Sequence, residues 1–197
     1  MSKMKLEGLI NSEKLKCVDD LCRYGEFDAE CALRGGDRDE VIKGIFPSPA
    51  GSRSSVIEKL AFANLVRAKT ILNRSDSVTL RCECWSVSGG VPAGPLCTHP
   101  NRVEGVMIVA ECHEGRAQAA YETIRDKAGR FKSLKRQSIT FHDDREGANG
   151  ILANLLGPQE LFDDPAIRAD CQRAVAQSPA PATVDDLLRM LFAEVAQ

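Results

Sequence analysis

Apolar residues repeat at helical spacing most clearly between positions 55 and 73, where Ile57, Leu60, Ala61, Leu65, Ala68, Ile71 and Leu72 form one stripe. Ser55 and Glu58 make a capping box ahead of it, and Lys59, Arg67 and Lys69 lie off it, so the pattern predicts an amphipathic core helix over 55–73. The period then changes to two. Val78, Leu80, Cys82 and Cys84 share one face of a predicted strand over 78–87, and Thr79, Arg81, Glu83 and Trp85 share the other. A second apolar run, 103–112, reads as a buried strand, and the glycine- and proline-rich stretch 89–95 between them reads as a loop. That loop lacks the Lys-Ser/Thr ending of a phosphate-binding loop.

The remainder reads as helix and turn. Residues 1–46 form a helical and irregular N-terminal region, with a helix opening at Ser12, carrying Val18, Leu21 and Cys22, and closing near Gly25; Gly35-Gly36-Asp37 is a turn. Pro47 to Ser52 reads as an exposed linker. After Gly115 the stripe Ala117, Ala120, Tyr121, Ile124 and Ala128, interrupted by Gly129, predicts a helical segment. A short helix follows over 151–156, then one opened by the Asp164-Pro165 cap and running to Gln177. Beyond a Ser/Pro/Ala linker, residues 183–197 hold a last amphipathic helix with Val184, Leu187, Leu188, Leu191 and Val195 on its apolar face. The central region is thus 53–177, and the whole is an α+β fold: a mostly helical chain with a small central β-sheet.

Composition narrows the chemistry. Of 197 residues 43% are hydrophobic, enough for a real core, but only 5% are aromatic. The net charge of −2 excludes a globally basic nucleic-acid binder while leaving room for a local basic patch. The charged start and the short apolar runs point to a cytoplasmic protein with no export signal and no membrane span, so its 8 cysteines suggest metal binding or core burial before disulfides.

Those cysteines cluster. Cys82-x-Cys84 is followed by Cys97-x-His99, with Cys112 and His113 as alternates. Side chains two apart on a strand point the same way, so the two pairs can close a Cys3His zinc tetrahedron that staples the sheet. The competing reading makes Cys82 and Cys84 ordinary buried thiols, because they share their face with Val78 and Leu80. Cys17, Cys22 and Cys31 form a looser group that reads as core packing.

A basic segment comes next: Arg116, Arg125, Lys127, Arg130, Lys132, Lys135 and Arg136 are opposed only by Glu122 and Asp126, and Arg145 extends the run. On a helix it would present a phosphate-contacting surface. The order of apolar helix, cysteine cluster and basic helix over 55–136 resembles that of phage late antitermination proteins, which combine a zinc motif with DNA binding. Those proteins use Cys-x-x-Cys pairs, however, where this chain has Cys-x-Cys and Cys-x-His.

The leading expectation is therefore a non-enzymatic, zinc-stabilised regulator that contacts DNA or a nucleoprotein complex. The alternative is a protein-binding adaptor or inhibitor using the C-terminal helix or the small sheet. A metal-dependent hydrolase built on His142, Asp143, Asp144 and Glu146 comes third.

Overall fold

The computed structural model describes residues 2–44, 53–87, 100–142 and 154–177. Its frame is a six-stranded antiparallel sheet in the order β2-β1-β3-β4-β5-β6. The strands are β1 (Ala29–Arg34), β2 (Glu40–Gly44), β3 (Ser77–Val87), β4 (Arg102–Cys112), β5 (Gly115–Arg125) and β6 (Phe131–His142). Helix α1 (Ser2–Tyr24) covers one face of the sheet; α2 (Arg53–Leu72) covers the other, and α3 (Pro165–Gln177) packs on α2. No described helix is long and apolar enough to cross a membrane.

Period-two burial makes the two-faced sheet. On β4, Val106, Ile108 and Ala110 pack under Leu6, Ile10 and Leu21 of α1, while Val109 turns to the α2 side with Val78 and Leu80 of β3. The helix expected over 55–73, the strand expected over 78–87 with its two faces, and the strand expected over 103–112 are all present. The Asp164 cap is present too: its Oδ1 accepts the N–H groups of Ala166 at 2.8 Å and Ile167 at 3.1 Å.

The expectation of a mostly helical chain with a small central sheet is wrong. The stretch after Gly115 is a hairpin, β5 and β6, not a helix. Its residues satisfy both periods, because alanines fill the apolar positions of either. Ala117, Ala119 and Tyr121 are buried on alternate positions against α1, and this tertiary packing overrides the helical propensity of alanine. Gly129 turns the hairpin with φ of 79° while Asp126 Oδ1 accepts the N–H groups of Ala128 and Arg130.

Two further corrections follow the same lines. The N-terminal region starts its helix at Ser2, and its irregular part is the β1–β2 hairpin around Gly35 and Gly36. Residues 154–156 are not helical, and Asn154 has φ of 55°; the rest of that predicted helix lies outside the described residues. The linker at Pro47 to Ser52 and the last helix with Val184, Leu187, Leu188, Leu191 and Val195 also lie outside them.

Candidate functional site

The basic segment divides between two paired strands with different fates. Arg116 opens β5 directly opposite Glu111 of β4, and both are almost fully buried; its Nε lies 3.6 Å from Glu111 Oε1. Glu111 also accepts the N–H of Leu156 at 2.9 Å, so this ion pair ties the sheet to the segment that runs back under α2. Arg125, at the other end of β5, donates from Nε to both oxygens of Glu104, at 2.8 and 3.1 Å, and from Nη2 to the Gly25 carbonyl at 2.8 Å. The last contact satisfies a carbonyl just past the C-terminus of α1. Both arginines are engaged by carboxylates of β4, Arg116 in the interior and Arg125 at the wall of a pocket.

The others lie on the surface. Arg130 pairs with Asp126 at 3.0 Å across the turn, and Lys135 lies 3.7 Å from Glu122 on the neighbouring strand. Lys127, Lys132 and Arg136 are exposed and have no carboxylate partner among the described residues. Helix α1 adds to this side: Lys14 sits over the Tyr121 ring, 5.5 Å from its centroid, and Lys3 over the Phe141 ring at 4.9 Å. Tyr121 is paired with Arg136 in the β5–β6 register, so Lys14 and Arg136 flank the same ring.

β6 itself is the long edge of the sheet. It has 12 residues, and among the described residues no strand lies beyond it. Phe131, Leu134, Ile139 and Phe141 turn inward and pack at the margin of the α1 core, while Lys132, Lys135, Arg136 and Ser138 are exposed. Two register shifts against β5 interrupt the ladder, one beside Tyr121 and one beside Arg125. The opposite edge, β2, is only 5 residues long.

An acidic cleft lies where α1 ends, on the far side of that helix from the β6 edge. Asp20, Glu26, Asp28 and Glu30 line a cavity of about 410 Å³ around Arg81 and Lys43. Arg81 reaches from β3 toward α1, bonding Asp20 and lying 3.1 Å from Glu30, with Glu13 at 3.9 Å. Next to it, Glu83 and Glu104 face Arg125 and Glu26. Burial of the Glu83 carboxyl, then the charges of Glu104 and Glu26, push its pKa up to about 7, against the opposing pull of Arg125.

The cysteines separate by face. Cys82 and Cys84 pair with Met107 and Gly105 on the α2 side, as their alternation with Val78 and Leu80 predicts. Burial pushes the Cys82 thiol up to about 12 and the Cys84 thiol up to about 11, favouring the protonated form. Cys112 lies in the α1 core on the opposite face, so it cannot join them around one ion. His113 is also engaged elsewhere, with Nε2 at 3.2 Å from the Ser75 carbonyl and its ring edge-on to Phe162. Cys97 and His99 lie outside the described residues, as do Asp143, Asp144 and Glu146; His142, half-buried, ends β6 opposite Arg116. Among the described residues no group of three Cys, His, Asp or Glu side chains is placed to hold a metal ion.

The cleft joins residues far apart in the chain, and the β6 edge is set by a hairpin whose alanines also fit a helical stripe. The one local signal was the Asp126 to Gly129 turn, which fits a hairpin. No protein-family model, curated protein or solved structure matches this chain.

Proposed function

We propose that this chain is a non-enzymatic binding protein, an adaptor or inhibitor, whose β6 edge takes up an extended acidic segment of a partner protein. The observation that supports it is the edge itself: a 12-residue strand whose outer side faces no other described strand, flanked by Lys127, Lys132 and Arg136 without carboxylate partners among the described residues. An open edge offers main-chain hydrogen bonds to an added strand, and its side chains supply the selection. Like charges and bulges on an edge discourage pairing with another copy of the same strand. The same charges favour a strand carrying Asp and Glu.

A second reading keeps the phosphate-contacting role, moved from a helix to the hairpin. It is favoured by the continuation of the positive charge around the turn, from Lys132 through Arg130 to Lys127. Arg116, buried against Glu111, takes no part in it, and Arg125 is far less exposed than Arg130. Neither reading depends on zinc.

The test titrates the protein with a peptide alternating Glu and Val, and separately with a short DNA duplex. Binding of the peptide, protection of β6 amides from hydrogen exchange, and a loss of about tenfold or more in Lys132→Glu plus Arg136→Glu would support the protein-binding reading. Binding of duplex alone, falling steeply with salt, would replace it with the second reading. Failure of both probes would remove the edge as the site.

A further inference from the structure

Helix α1 has a second stripe against which no described element packs. Its buried side is Leu6, Ile10, Glu13, Cys17 and Leu21. On the opposite side Met4, Gly8, Asn11, Leu15, Val18 and Cys22 follow one another at intervals of four and three, the spacing of a coiled-coil seam. Met4 is 75% exposed and Leu15 70% exposed, the first and third largest such values among the exposed apolar side chains. Gly8 is exposed inside the helix, where a glycine costs about 1 kcal/mol relative to alanine. No described residue lies within 4 Å of the position its Cβ would take, so no contact among the described residues calls for a glycine there.

We propose that this stripe pairs with the same stripe of a second copy, with the two α1 helices antiparallel about a two-fold axis level with Glu13. That register sets each large side chain against a smaller one: Met4 against Cys22, Val18 against the gap at Gly8, and Leu15 against Asn11. A parallel pair would instead stack Gly8 on Gly8 and leave a void. The antiparallel register also brings Lys5 of one copy beside Asp19 of the other, twice by symmetry, and opposes the helix dipoles. Asp19 already holds Arg23 at 2.9 Å on its own helix, and Lys5 adds a second cation to that carboxylate. Lys14 approaches its own counterpart near the axis, a cost eased by its seat over the Tyr121 ring. The contact runs for about 27 Å of helix, a small interface suited to reversible association.

Sedimentation of the full chain across a concentration series tests this, starting from the 21.5 kDa monomer. The expected result is a reversible dimer whose dissociation constant rises about tenfold or more in Leu15→Lys and in Gly8→Gln. Gly8→Gln is informative because glutamine favours the monomer's helix and meets nothing in it. Lys5→Asp should weaken the dimer, and adding Asp19→Lys in the same chain should restore it. Cys22 is exposed and fixes the direction. In the antiparallel pair the two Cys22 residues lie about 27 Å apart and cannot be oxidised to each other, whereas Met4→Cys gives a disulfide to Cys22 of the second copy. A wild-type chain that stays monomeric, or one that forms a Cys22 to Cys22 disulfide, would overturn the proposal.

Discussion

Arg116 and Arg136 belong to the same run of positive charge in the sequence and to adjacent strands in the fold, yet they do opposite things. Arg116 lies on β5, inside the sheet, where Glu111 on β4 and the returning segment at Leu156 enclose it. Arg136 lies on β6, where the sheet ends, and remains exposed. One strand spacing separates a buried, paired charge from an exposed one. The number of cations in a segment therefore overstates the charge its surface carries, and the position of each strand in the sheet decides how much remains.

The sharpest way to break this comparison is to remove each arginine in turn. Arg116→Ala leaves Glu111 buried without its cation and should lower stability by about 3–5 kcal/mol in a urea titration. Arg136→Ala takes a side chain from the exposed edge and should stay within about 0.5 kcal/mol. Equal losses would show that the two strands do not divide the charges as described. A replacement of both Glu111 and Arg116 by apolar residues of similar size is expected to recover much of the loss, because neither charge is then left alone.

The two hairpin turns extend the contrast from charge to packing. Gly36 and Gly129 both have positive φ, 69° and 79°. A Cβ on Gly36 would lie 2.1 Å from the Asn73 carbonyl oxygen, since the β1–β2 turn is packed on the end of α2; a Cβ on Gly129 meets no described residue within 4 Å. Gly129→Ala should therefore cost only the left-handed backbone, about 1–2 kcal/mol. Gly36→Ala carries that cost plus a backbone clash and should lose clearly more in the same titration. Equal costs would mean that the β1–β2 turn can move off α2 freely.

What the sequence made legible follows from how local each signal is. The helix around Leu65, the alternation around Leu80 and the Asp164 cap each need only a few neighbouring residues, and each is present. The β5–β6 hairpin was misread because alanines at 117, 119 and 120 fit a helical stripe and an alternating one equally well, and only contact with α1 decides between them. β1 and β2 are 6 and 5 residues long, too short for their alternation to stand out. The pairing of Arg116 with Glu111 and of Arg125 with Glu104 is not legible in the sequence, because only the alignment of β4 beside β5 brings these side chains together. Cys112 was readable in part: its alternation with Ile108 gave its face, but that this face is opposite to that of Cys82 follows only from the register pairing Ser77 with Cys112.

A small, pH-dependent effect concerns Glu83, in the pocket beside the acidic cleft. Glu83 titrates near 7 there rather than at the usual 4.5, with burial the main cause and Glu104 and Glu26 adding to it. In this window the folded state holds a proton that the unfolded chain has released, so stability falls as pH rises from about 4.5 to about 7 and the penalty is constant above that. Glu83→Gln removes the titrating group. It should raise stability at pH 8, lose that advantage as the pH is lowered through the window, and show none below about 4.5. Because Glu83 is exposed as a residue, solvent screening keeps the gain within about 1 kcal/mol. The same substitution should leave binding at the β6 edge unchanged, since β4 and β5 lie between β3 and β6. A mutant whose advantage grows at low pH would reverse the sign and show that Arg125, not burial, dominates the Glu83 carboxyl.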